Sequence, residues 1–75
     1  MMAQNLQLGD LVHFAHKDNM FTGSIIADAQ TDKYGSRCFR VHTHNVIENG
    51  KNKLVQSFCV DYPARALSLI RVNGL

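Results

Sequence analysis

The stretch Gly9-Asp10-Leu11-Val12-His13-Phe14-Ala15 puts Val12 and Phe14 on one side of an extended chain and His13 on the other. This is the period-two alternation of a half-buried strand. Lys17-Asp18-Asn19 reads as a turn, and Met20 to Ala29, rich in small and β-branched residues, as a second strand in which Gly23 predicts a bulge or a bend. Thr31-Asp32-Lys33-Tyr34-Gly35-Ser36 is a loop. Asn49-Gly50 is the clearest local signal: the pair accepts the positive φ angles of a type I′ turn and has strand-like residues on both sides, which predicts a hairpin.

Placing Asn49 and Gly50 at the two central turn positions sets the register. Glu48 then falls opposite Lys51, Val41 opposite Phe58 and Phe39 opposite Val60, so that apolar partners share one face. The other face carries Cys38, Arg40, His42 and His44 across from Asp61, Cys59, Ser57 and Val55. Parity adds the earlier strands, with Phe14 opposite Phe21 and Ile25 beside Val41. The expected core is Val12, Phe14, Phe21, Ile25, Phe39, Val41, Phe58 and Val60.

A four-stranded antiparallel meander this short must curl or be capped to bury one face, so the C-terminal segment has to supply the lid. Two readings of it stand side by side. In the first, a helix over residues 62–72 has Asp61 as its cap, Pro63 in its first turn, Tyr62, Ala66, Leu69 and Ile70 on one face, and Asn73-Gly74 as its stop. In the second, residues 63–67 make one helical turn, and a short strand from Leu69 to Val72 closes the sheet against the first strand.

The order and spacing of these segments resemble the SH3-like small barrels, the broad group of SH3, Tudor and KOW-type modules. The resemblance is carried by Leu8-Gly9-Asp10-x-Val12-x-Phe14, then Phe21-x-Gly23-x-Ile25, then a hairpin, and then Pro63-x-x-x-Leu67-x-x-Ile70 before the last strand. It spans roughly residues 6–72 and implies an all-β, five-stranded small barrel; the whole chain, residues 1–75, is read as that single domain, with residues 1–5 a flexible N-terminus. SH3-like barrels often act as binding modules. The aromatic cage of methyl-lysine readers is not visible, because the aromatics are four Phe, mostly assigned to the core, and two Tyr, Tyr34 and Tyr62.

Composition narrows the function. With 75 residues the chain is one domain with one small core, and 45% hydrophobic with 19% charged residues is an ordinary globular mixture. Apolar runs such as Phe58-Cys59-Val60 stop at three residues, whereas a membrane span needs about 20. No secretory pattern opens the chain, so a cytoplasmic location and reduced cysteines are expected. A net charge of +2 is too mild to announce a polyanion partner by field alone.

The chemistry-bearing residues do not assemble into a catalytic pattern. His42-x-His44 puts two imidazoles on one strand face, but His13 lies across Thr22 from His44, about 9–10 Å away, and side chains diverge on a convex face. No metal and no cofactor are expected. Neither Cys38 nor Cys59 has a histidine in reach: Cys38 and His42 are roughly 13 Å apart along one strand, and Cys59 faces Arg40. A Cys38 to Cys59 bridge would be diagonal in this register. No phosphate-cradling glycine loop and no paired carboxylates are present, so no enzyme is expected.

What is left is surface. Arg40, His42 and His44, with Arg37, Lys33 and Tyr34 near the start of the same strand, form a modest basic strip that can meet nucleic acid. Tyr34, Tyr62 and Pro63 can line a groove for a protein, and Val55, Leu11 and Ile26 fall together on the expected outer face as an apolar patch, a hint of self-association or of a partner. The reading is a non-catalytic binding module, an adaptor or inhibitor, engaging a protein through Tyr34, Arg37, Arg40, His42, His44, Val55 and Tyr62. Its alternatives are a weakly basic nucleic-acid-binding barrel and a symmetric oligomer holding a small ligand at a shared interface.

Overall fold

The computed structural model of the chain describes residues 6–71; the flexible N-terminus expected at 1–5 and the stop expected at Asn73-Gly74 lie outside them. The described chain is all-β. Strands β1 (Leu11–His16), β2 (Asn19–Ala29), β3 (Cys38–Glu48), β4 (Lys51–Leu54) and β5 (Cys59–Pro63) are followed by a single 3-10 turn, Ala64–Ala66, and by β6 (Ser68–Arg71). All ladders are antiparallel, in the order β4-β3-β2-β1-β6, with β5 also paired to β3. β4 and β5 are two lengths of one return strand, so the sheet has five strand positions, curled into an open half-barrel.

The C-terminal helix expected as the alternative over residues 62–72 is therefore corrected. Pro63 ends a strand, the 3-10 turn lasts one turn, and residues 68–71 pair with β1 through Val12 opposite Leu69 and His13 opposite Ser68. Leu67 explains the choice: as the residue closing the 3-10 turn it is fully buried in the core, a position that an extended lead-out into β6 supplies. The core is Leu6, Val12, Phe14, Phe21, Ile25, Phe39, Val41, Val46 and Leu67. Fully burying such side chains contributes roughly 1.5–3 kcal/mol each. Phe58 and Val60 are half-buried against it.

Both hairpin turns follow from local sequence. Asn49 (φ 51°) and Gly50 (φ 76°) occupy the left-handed region between Glu48 and Lys51, which are opposite each other as expected. Lys17 (φ 48°) and Asp18 (φ 68°) do the same between His16 and Asn19. Phe14 opposite Phe21 and Ile25 opposite Val41 also match the parity argument.

A bulge in β3 and a two-residue step in the return strand depart from it. Between Thr22 opposite Asn45 and Gly23 opposite Thr43 the ladder slips by one, leaving His44 as an extra residue. The bulge sits beside Gly23, where a Cβ would meet the His42 carbonyl oxygen at 2.5 Å, so the strands approach more closely there than a side chain allows. Downstream of His44 the faces exchange: Val46 becomes buried and Ile47 turns outward. On the return strand, Val55 N–H donates to the His44 carbonyl, yet Thr43 pairs with Phe58, so Gln56 and Ser57 step out of the ladder. Val41 consequently lies opposite Val60 rather than Phe58, and Phe39 opposite Tyr62 rather than Val60. A two-residue step preserves which face each side chain takes, so Val60 keeps its expected side.

Candidate functional site

Arg40, His42 and His44 stand on the convex face of β3. Arg40 lies opposite Asp61, not opposite Cys59 as expected, because of the two-residue step. Its guanidinium binds both Asp61 carboxylate oxygens, Nε at 2.9 Å and Nη2 at 3.1 Å. The pairing holds the Asp61 carboxyl below its ordinary value, with the hydrogen bond from Arg40 as the main cause. His42 and His44 meet edge to face at 5.1 Å, and the bulge carries the His44 ring to Ser24, whose Oγ is 3.1 Å from Nε2.

Tyr34 and Arg37 belong to the opposite end of the strand, at the loop before β3. That loop is built on Asp32, whose carboxylate accepts from the backbone N–H groups of Tyr34 and Ser36, both at 2.9 Å. Arg65, from the 3-10 turn, donates to Asp32 at 3.1 Å and to Ser36 Oγ at 2.7 Å, tying the loop to a distant part of the chain. The Asp32 carboxyl is lowered chiefly by the Ser36 N–H, then by that of Tyr34 and by Arg65. On this braced loop Tyr34 is 73% exposed, with the Lys33 ammonium 5.1 Å from its ring centre. Arg37 stacks 4.7 Å from the Phe39 ring centre while pairing with Asp28 at 2.8 Å.

The remaining two expected contact residues are placed differently. Tyr62 turns to the core side: its ring packs on Phe14 at 5.6 Å, and its hydroxyl lies 2.6 Å from His16 Nδ1. Val55 is half-buried against the core cluster, so the outer patch expected from Val55, Leu11 and Ile26 is corrected. Ile26 remains exposed as the extra residue of a second slip, in β2. A different apolar strip takes the patch's place. Met20 and Ile47 are paired on the convex face, with Leu54, 87% exposed, diagonal to Ile47 on β4. The signal was present in the sequence: Val46-Ile47 are consecutive, and two adjacent strand residues cannot both face the core.

Among the described residues no three His, Cys, Asp or Glu side chains gather around a point that would hold a metal ion. Cys38 is buried and donates to the Ser36 carbonyl; Cys59 is exposed, and neither is bridged. The step brings Cys59 opposite His42, but no hydrogen bond joins them. No helix among the described residues is long and apolar enough to cross a membrane. Compared with protein-family models, with curated proteins and with solved structures, the chain matches none, so its functional reading rests on geometry.

Proposed function

We propose that this chain is a non-catalytic protein-binding module, whose contact surface is the convex face of β3 and the Asp32 loop, with Tyr34, Arg37, Arg40, His42 and His44 as its contact residues. One observation carries the reading: the arginines of this surface already have carboxylate partners, Arg37 with Asp28, Arg40 with Asp61 and Arg65 with Asp32. With the Lys33 ammonium beside Tyr34 as its remaining lysine, such a surface is close to charge-balanced. It offers little unsatisfied positive charge to a phosphate backbone, whose neutralisation dominates nucleic-acid affinity, while an exposed tyrosine and flat guanidinium planes are the side chains that anchor protein interfaces.

The test is affinity capture with the immobilised full chain, with and without nuclease treatment, compared with Tyr34→Ala and Arg40→Asp variants checked for unchanged melting. The expected result is a protein partner that survives nuclease and is lost with both variants. Binding instead to random-sequence DNA or RNA, with an affinity that falls steeply as salt rises, would replace this reading with the nucleic-acid one.

A further inference from the structure

We infer that the free edge of β4 is a strand-addition site for an extended, acidic segment of the partner protein. The inference deepens the protein-binding reading above and rests on it. Among the described residues β4 ends the sheet, with β3 on one side and no strand on the other. Its backbone phase is fixed by the ladder. Val55 N–H donates to the His44 carbonyl and Glu48 faces Lys51 across a two-residue turn, so Lys51, Lys53 and Val55 direct their amides toward β3. Asn52 and Leu54 therefore aim both N–H and C=O away from the sheet, at the spacing an added strand reads.

The side chains specify what kind of strand. Lys53 lies opposite buried Val46, so it and Lys51 share the concave side, where among the described residues Glu48 offsets them, 3.3 Å from Lys53. A shallow depression of about 290 Å³, lined by Glu48, Asn49, Lys51, Asn52 and Lys53, lies along this edge. On the convex side Leu54 continues the strip of Met20 and Ile47. The complementary ligand alternates carboxylates, facing the lysines, with apolar side chains beside Leu54. Lysines on an edge commonly guard it against pairing with its own kind. Here they exclude a second copy, since β4 would face β4 lysine to lysine, and the other end of the sheet, β6, also carries a cation, Arg71. An acidic strand is admitted by the same charges. An 87% exposed Leu54 is the opposite of protection.

The probe is a capped peptide of about eight alternating Glu and Val residues, titrated into the full chain at low salt by fluorescence anisotropy and followed by amide NMR. Binding with slowed solvent exchange at the amides of Asn52 and Leu54 is expected. Asn52→Pro, which removes an outward N–H and no ladder bond, is expected to weaken it about tenfold or more. Lys53→Glu should do likewise, and the corresponding Lys/Val peptide should not bind. Should Asn52→Pro fail to fold, N-methylation of the peptide at alternate residues tests the same hydrogen bonds on the unaltered protein. Binding indifferent to Asn52→Pro and N-methylation, equal binding of both peptides, no binding at millimolar peptide, or a concentration-dependent dimer that the peptide does not disturb would each overturn the inference. If the peptide is silent while capture still depends on Tyr34 and Arg40, the edge proposal falls and the protein-binding reading stands. Salt-steep nucleic-acid binding without protein capture removes both.

Discussion

His16 Nδ1 and the Tyr62 hydroxyl are 2.6 Å apart although 46 residues separate them. They join β1 to β5, two strands with no ladder between them. Around the bond, His16 packs on Phe21, Phe58 and Tyr62 at 5.6–5.9 Å, so the hydrogen bond sits in an aromatic cluster that links the two strands. Tyr62→Phe keeps the ring and deletes the hydroxyl. It is expected to cost about 1 kcal/mol in urea denaturation, His16→Phe a similar amount, and the double variant less than the sum of the two. Strict additivity would mean that the two side chains stabilise the fold independently.

Thr43 holds the two-residue step in the return strand. Fully buried, its hydroxyl accepts from Phe58 N–H at 3.2 Å and donates to the Phe58 carbonyl at 2.8 Å, while its own N–H donates to that carbonyl at 2.9 Å. Thr43→Val preserves shape and strands the Phe58 N–H, so a loss of about 1–3 kcal/mol is expected, with faster amide exchange at Phe58. An unchanged denaturation midpoint would show that the backbone pairing alone fixes the step.

Gly23 permits the close approach of β2 to β3. A Cβ there would stand 2.5 Å from the His42 carbonyl oxygen and 2.8 Å from Val41 Cγ1. Since backbone is one of the obstacles, Gly23→Ala is expected to destabilise by about 2 kcal/mol or more, whereas Gly35, with open space around it, is limited by its φ of 78° alone. Calorimetric melting of both alanine variants makes the comparison; equal small losses would mean the strands separate at no cost.

Asp61 and Asp32 both have carboxyls lowered in the folded protein, by Arg40 in the first case and chiefly by the Ser36 N–H in the second. A lowered folded value means stability that is fully present above the ordinary carboxyl range and lost as pH falls through the folded value. The contribution of these two carboxylates is therefore expected to be constant from neutral pH down to about pH 5 and to fall below about pH 4, so that in this acid range thermal melts fall less steeply in Asp32→Ala and Asp61→Ala. Both residues are near the surface, so added salt should shrink the Asp61 contribution more than that of Asp32, whose main partners are backbone N–H groups. Identical acid slopes in all three proteins would contradict this.

Short-range pattern carried much of the fold. Asn49-Gly50 placed the turn and its first pair, and period-two parity placed Phe14 against Phe21 and Ile25 against Val41. The candidate surface was legible only in part. Arg40, His42 and His44 share the convex face as expected, and Tyr34 is exposed, but Arg40 turned out to be neutralised by Asp61 because the return strand slipped by two residues. Val55 moved from the surface to the core margin, and Leu54, which no pattern marked, became the most exposed large apolar side chain among the described residues.

The division has a physical basis. Turn conformation and face alternation depend on neighbours in the chain, so an all-β curl with its hairpins and most of its core follows from local pattern. Where a ladder slips depends on groups brought together from far apart: Thr43 gripping the Phe58 backbone, Gly23 admitting a closer strand, Leu67 filling the centre. Those long-range contacts set the slips, and with them which arginines have partners and which strand edge is left unpaired among the described residues.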